Sequence, residues 1–311
     1  MTLSTTRRSR AIWAAALLAV LLGGVPLARA QENTAEEAAR RQAVLATLPQ
    51  DAARRVFGLA ATPSPGAGQP MGAYSKGCLA GGVEMPADGP NWQVMRPSRN
   101  RAWGHPALIG FLKRLAAAGE TVGWRGLLIG DLAQPRGGPM LTGHASHQLG
   151  IEADIWLTPM PDRRLTPVER NEISAVSVVA ENGQDIDPDV WRPEHRRLLE
   201  LAARDPAVDR IFVNPAIKRA LCREATGNRN WLHRIRPWYG HNYHFHVRLA
   251  CPRGASQCRS QAPLPPGDSC GADLAWWFTP DAKLPQPTQP ARPLRVSDLP
   301  QACAALVAPT R

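Results

Sequence analysis

Several things are missing from this 311-residue sequence, and each absence removes a class. There is no internal repeat, which sets aside solenoids and propellers. No pair among the six cysteines has the C-x2-C spacing of a zinc knuckle, so a small cysteine-ligated zinc module is excluded. No dense Lys/Arg run, recognition helix or aromatic RNP strand is present, and nucleic acid is therefore not an expected partner. Only one long apolar run occurs, at the very start. With 44% hydrophobic and 20% charged residues, the rest has the composition of a soluble globular protein, neither disordered nor coiled coil. Its length fits one large domain or two small ones.

The apolar run reads as an export signal over residues 1–30. Arg7, Arg8 and Arg10 form a basic head, Ala11 to Val25 the hydrophobic middle, and Ala28-Arg29-Ala30 the small-x-small site cut before Gln31. The run is shorter than the about 20 residues that span a bilayer, so no stable membrane anchor is expected after cleavage. The Arg7-Arg8 pair lacks the Phe-Leu that follows in twin-arginine signals, which leaves Sec export to the periplasm. Removing residues 1–30 leaves 33 basic against 26 acidic residues, a net +7. An exported cation meets anionic lipid head groups or an anionic cell-wall polymer. In an oxidising compartment, Cys78, Cys222, Cys251, Cys258, Cys270 and Cys303 are expected to form three disulfides, with Cys251 and Cys258 flanking a short loop suited to a staple. Composition and spacing leave the fifteen possible pairings open.

Four regions follow: the signal, a helical segment over 31–57, a body over 58–279, and a proline-rich tail over 280–311. The first helix is expected through Ala35 to Val56, ended by Thr62-Pro63-Ser64-Pro65-Gly66. Prolines 280, 285, 287, 290, 293 and 300 make the tail extended, tethered where Cys303 is bonded. In the body, helices are expected at Ala107 to Ala118, after the Thr166-Pro167-Val168-Glu169 capping box, at Pro193 to Arg204 and at Ala216 to Glu224. Strands are expected at Gly126 to Leu132, Gly150 to Leu157, Asp209 to Val213 and Tyr243 to Ala250. Helices and strands do not alternate regularly, so the fold class is α+β rather than a doubly wound sheet.

Five of the eight histidines fall into two clusters, His144 with His147, and His241 with His244 and His246. On a strand, His244 and His246 share one face while Phe245 and Val247 take the other. Ile151, Ala153, Ile155 and Leu157 alternate with Glu152, Asp154 and Trp156, so Asp154 faces away from the aliphatic set. A carboxylate and imidazoles on neighbouring strands are a donor set for zinc, which in catalytic sites keeps three protein ligands and one open position. Taken alone, H-x-H is commonly a pair of surface histidines, and Glu152 reads as a solvated or supporting acid. The two clusters together make the metal site.

The H-x6-D element His147 to Asp154, followed by His244-Phe245-His246, resembles the LAS metallopeptidases of bacterial cell walls. Three longer stretches narrow the resemblance to the penicillin-insensitive murein endopeptidase family: Ser75 to Gly82, Asp131 to His147, and Arg210 to Lys218. The similarity covers about residues 56 to 278. It implies a small antiparallel sheet carrying the metal site, flanked by helices as in D-Ala-D-Ala peptidases. It also implies Zn2+ held by His147, Asp154 and His246, with His144 as a further ligand, His244 as general base or transition-state stabiliser, and His241 lining the site as a second catalytic residue. The implied cysteine pairs are Cys78 with Cys303, Cys222 with Cys270 and Cys251 with Cys258. The implied activity is zinc-dependent cleavage of D-alanyl-diaminopimelyl cross-links in peptidoglycan, without an acyl-enzyme on Ser146 or any cysteine. The alternatives are a D-Ala-D-Ala carboxypeptidase and a non-catalytic peptidoglycan-binding protein. The family's second metal site would fall in Glu181 to Asp187, where Asn182 and Asp185 stand without a histidine, so it is not carried over.

Overall fold

The protein is described by a computed structural model over residues 25–282 and 292–307, with side chains from residue 35. The head and most of the apolar run of the expected signal lie outside these residues. Among the described residues, no helix is long and apolar enough to cross a membrane.

A seven-stranded sheet organises the body. From edge to edge it runs Ile235–Pro237, Val208–Val213, His244–Leu249, Glu152–Trp156, Leu127–Ile129, Trp92–Val94 and Asp88–Gly89. The expected α+β class holds. The three strands that carry the site are antiparallel, and the sheet extends beyond them through two parallel pairings, Ile235–Pro237 with Val208–Val213 and Trp92–Val94 with Leu127–Ile129.

The alternation read in the strands decides which face is which. Ile151, Ala153, Ile155, Ile211, Val213, Phe245 and Val247 turn into one apolar core with Leu108, Phe111 and Leu112 of the helix Pro106–Glu120 and Leu198 and Leu199 of the helix Pro193–Arg204. The other face buries Glu152, Asp154, Arg210, His246 and Arg248 instead. Burying that many polar groups is costly unless each is paired or ligating, which marks this face for function.

Helix starts follow their local signals. Thr166 Oγ1 accepts from the Glu169 backbone N–H at 3.2 Å while Glu169 accepts from the Thr166 N–H at 2.8 Å, the reciprocal cap that opens Pro167–Glu172. Asn214 accepts from the Ala216 N–H at 2.9 Å and opens Pro215–Glu224. At the N-terminus, the single helix expected through Ala35 to Val56 is two helices, Val25–Thr47 and Ala53–Gly58. Pro49 falls in the break; it donates no N–H and disfavours helix in the residue before it.

All six cysteines are paired as the resemblance implies: Cys78–Cys303, Cys222–Cys270 and Cys251–Cys258. The described end of the tail is not wholly extended, because a short helix Gln301–Ala305 starts directly after Pro300. Leu299 and Cys303 are buried there with Ala53, Phe57, Met71 and Cys78 in a second apolar cluster. The Cys78–Cys303 bond spans 225 residues. Closing so long a loop is worth about 5 kcal/mol on chain-entropy grounds, and engineered cases often return less. Replacing both cysteines by Ser is therefore expected to lower the thermal midpoint by about 10 °C, read by circular dichroism. An unchanged midpoint would show that the tail is held by its apolar contacts alone.

Candidate metal centre

Strand register brings the distant clusters together. His246 lies opposite Asp154, His244 opposite Trp156 and Arg248 opposite Glu152. Directly opposed residues share a face, so His246, Asp154, Arg248 and Glu152 form one polar patch on the sheet. His144 and His147 reach it on the loop between Leu127–Ile129 and Glu152–Trp156. That loop turns at Gly137, whose φ is 60° and where a Cβ would collide with the Gln148 carbonyl. His147 and His241 also hold left-handed backbone, at φ 64° and 54°. Such residues cost on the order of 1–3 kcal/mol each and persist where surrounding structure imposes them.

Three donor atoms converge. His147 Nε2 is 3.1 Å from His246 Nδ1 and 3.4 Å from Asp154 Oδ1, and His246 Nδ1 is 3.1 Å from the same oxygen. Ligand atoms at about 2.0–2.1 Å from a tetrahedral zinc are about 3.3 Å apart, so this spacing fits. Asp154 Oδ1 is buried without a hydrogen bond, as expected of an oxygen aimed at a cation. His144 approaches the second carboxylate oxygen, with Nδ1 3.5 Å from Asp154 Oδ2, and His144, His147 and Asp154 also satisfy the spacing of a metal cluster. His147 and Asp154 are common to both sets, and His246 sits closer to Asp154 than His144 does. His244 Nε2 lies farther out, 3.7 Å from Asp154 Oδ1.

A second layer of partners fixes these side chains. Glu152, fully buried, accepts from His246 Nε2 at 2.8 Å and from the His147 backbone N–H at 2.8 Å, so His246 turns Nδ1 toward the cluster. Arg248 balances Glu152 at 2.7 Å. Asp131 takes His144 Nε2 at 2.9 Å and is itself held by Arg101 at 2.9 Å and Arg99 at 3.1 Å. Carboxylate partners of this kind set the ring orientation and basicity of metal-binding histidines.

Electrostatics suit a cation site. Burial would raise the Asp154 carboxyl, but the charges of His244, His147 and His144 outweigh it and hold it well below the usual range. Burial opposes charge on His246, yet the adjacent carboxylates of Asp154 and Glu152 push its pKa up to about 9. Burial holds His147 down at about 4.

All six residues singled out in the sequence, His144, His147, Asp154, His241, His244 and His246, stand at this centre. His241 is its outermost member: its Nδ1 donates to the Tyr239 carbonyl at 2.7 Å, and its ring centroid is 4.9 Å from that of His244 and 6.0 Å from that of His246. The remaining histidines have structural partners: His105 caps a helix at Ala107, His195 bonds the Leu157 carbonyl and His233 the Gly267 carbonyl. Sequence reading missed the part of Asp131, whose place just after a strand end carries no periodic signal. Glu152 was legible as sharing a face with Asp154; its complete burial was not. In Glu181 to Asp187, Asp185 pairs with Arg223 at 2.8 Å, and no metal cluster forms there among the described residues.

Two cavities border the centre, through different residues of it. One of about 330 Å³ is lined by Arg96, Arg99, Trp156 and Tyr243 and reaches His144, Asp154 and His244. The other, of about 600 Å³, reaches His241 and His246.

The model of one protein family, described as penicillin-insensitive murein endopeptidase, matches residues 70–308. A protein of that name from Haemophilus influenzae is 49% identical over 215 residues, 69% of this chain and 75% of its own. Others of that name from Klebsiella pneumoniae and Yersinia enterocolitica are 44% and 42% identical over 245 residues each, 79% of this chain and 88% and 87% of theirs.

Proposed function

The chain belongs to the penicillin-insensitive murein endopeptidase family, and from that membership and its donor cluster we propose that it is a zinc-dependent endopeptidase of peptidoglycan. Its bond is the D-alanyl-diaminopimelyl amide of peptide cross-links, and its place of action is the periplasm. The observation that carries the reading is the convergence of His147 Nε2, His246 Nδ1 and Asp154 Oδ1 at 3.1–3.4 Å, with one cavity bordering Asp154 and another bordering His246.

His147, Asp154 and His246 would hold a zinc ion, with His144 beside them on the second oxygen of Asp154. When bound, zinc supplies a Lewis acid that polarises the scissile carbonyl and acidifies the attacking water to a pKa of about 7. His244 takes the water proton and returns one to the leaving amine. Burial holds its pKa below the ordinary value, so the ring is neutral and able to accept. Glu152 and Asp131 keep His246 and His144 in orientation. No serine or cysteine acts as nucleophile; every cysteine is in a disulfide. Penicillin, which acylates an active-site serine, has no target here.

Openness on both sides of the cluster favours an endopeptidase over a carboxypeptidase. With dimeric muropeptides and pentapeptide monomers incubated side by side, chelator-sensitive and penicillin-resistant release of monomers from dimers is the expected result by chromatography. Loss of only the terminal D-Ala from pentapeptides would replace the reading with a carboxypeptidase, and binding without cleavage would make the protein a wall-binding module.

A further inference from the structure

The larger cavity has a wall that the chemistry at the metal does not use. Its floor is Phe212 and the strand end Arg236, Pro237 and Trp238, and its far side is the segment Gln261 to Pro265. Two disulfides, Cys251–Cys258 and Cys222–Cys270, bracket that segment, and Arg210 donates to the Ala262 carbonyl at 3.0 Å. The wall is thus fixed rather than loose, as a binding subsite requires.

Three guanidinium groups line this cavity, and two are already neutralised. Arg210 pairs with Asp209 at 2.6 Å, and Arg248 with Glu152 at 2.7 Å. Half-buried Arg236 donates to the Ser269 hydroxyl and has no carboxylate within ion-pair distance among the described residues. Burial disfavours its charge and outweighs the favourable field of Asp273, and Arg210 adds to the penalty. A desolvated cation of this kind gains from an incoming anion far more than an exposed one does. Beside it Trp238, 48% exposed, and Trp277 set ring centroids 6.2 Å apart as an apolar flank for the aliphatic part of the same ligand.

We propose that Arg236 is a specificity-determining residue that binds a free carboxylate of the cross-linked peptide in this cavity. The inference rests on the endopeptidase reading and deepens it. A diaminopimelyl residue joined through one amine at the scissile amide keeps the free carboxylate on the same carbon and an aliphatic chain, which is what a guanidinium beside indole rings recognises.

The test uses the zinc-loaded mature protein and two dimeric muropeptides, one with free and one with amidated diaminopimelyl carboxylates. KM for the free form is expected to be roughly 10- to 100-fold below that for the amidated form, with kcat within about threefold. Arg236→Gln should raise KM for the free form to the amidated value and erase the difference, and Arg236→Lys should retain part of it. Equal KM for the two dimers on the unaltered protein, or a glutamine variant that still discriminates, would overturn the proposal. Calorimetric titration of both dimers gives the same comparison without turnover. If neither dimer is cut but the free form binds more tightly, the endopeptidase reading fails and the subsite stands. Equal affinities remove the subsite whatever the activity.

Discussion

Replacing Asp154 by Ala is expected to strip the protein of its metal and of cross-link cleavage in one step. Its Oδ1 lies 3.1 Å from His246 Nδ1, 3.4 Å from His147 Nε2 and 3.7 Å from His244 Nε2, while Oδ2 faces His144. It is therefore the one anion shared by four imidazoles. Without it, a divalent cation loses a ligand and the charge that offsets its own. Loss of a supporting carboxylate alone costs roughly 10- to 100-fold in metal affinity, and a direct ligand costs more. After dialysis, the variant should hold less than about a tenth of the zinc of the unaltered protein and release no monomer from dimers. Its fold should survive, because the backbone bond from Asp154 N–H to the Asp131 carbonyl at 3.0 Å does not involve the side chain. Stoichiometric zinc with full activity in this variant would remove the metal centre from the mechanism.

What made Asp154 visible beforehand was strand alternation: Ile151, Ala153 and Ile155 claim the core, which leaves Glu152 and Asp154 on the other face. Alternation likewise placed His244 and His246 together. It could not say that His246 would lie opposite Asp154, because register between residues some ninety apart depends on the whole sheet. The resemblance to the murein endopeptidases supplied that juxtaposition and the disulfide pairs. Helix starts at Pro167, Pro193 and Pro215 were legible because proline and the caps before it are local devices. The loop that delivers His144 and His147 was not, since left-handed backbone at His147 is imposed by Glu152 and its neighbours rather than preferred by histidine. Asp131 stayed hidden for a related reason. Its role exists only through His144, Arg99 and Arg101, three partners that tertiary structure assembles.

His244→Ala should separate binding of the metal from use of it. His244 Nε2 stands 3.7 Å from Asp154 Oδ1, outside the 3.1–3.4 Å triangle of His147, Asp154 and His246, so removing it leaves all three ligand atoms and their partner Glu152 in place. Zinc content should stay near that of the unaltered protein. Turnover should fall by about 10²–10⁴, the usual worth of a positioned general base, with KM for dimeric muropeptides changed little. His241→Ala is the informative companion. Its Nδ1 is committed to the Tyr239 carbonyl and its ring faces the larger cavity, so its loss should affect KM more than kcat. A base role for His244 predicts further that the acidic limb of the rate profile, set by protonation of that imidazole, disappears in the alanine variant. If His244→Ala instead loses zinc in step with activity, the residue is a ligand and the proton must pass through His144 or His241; if it keeps both, the base lies elsewhere in the cleft.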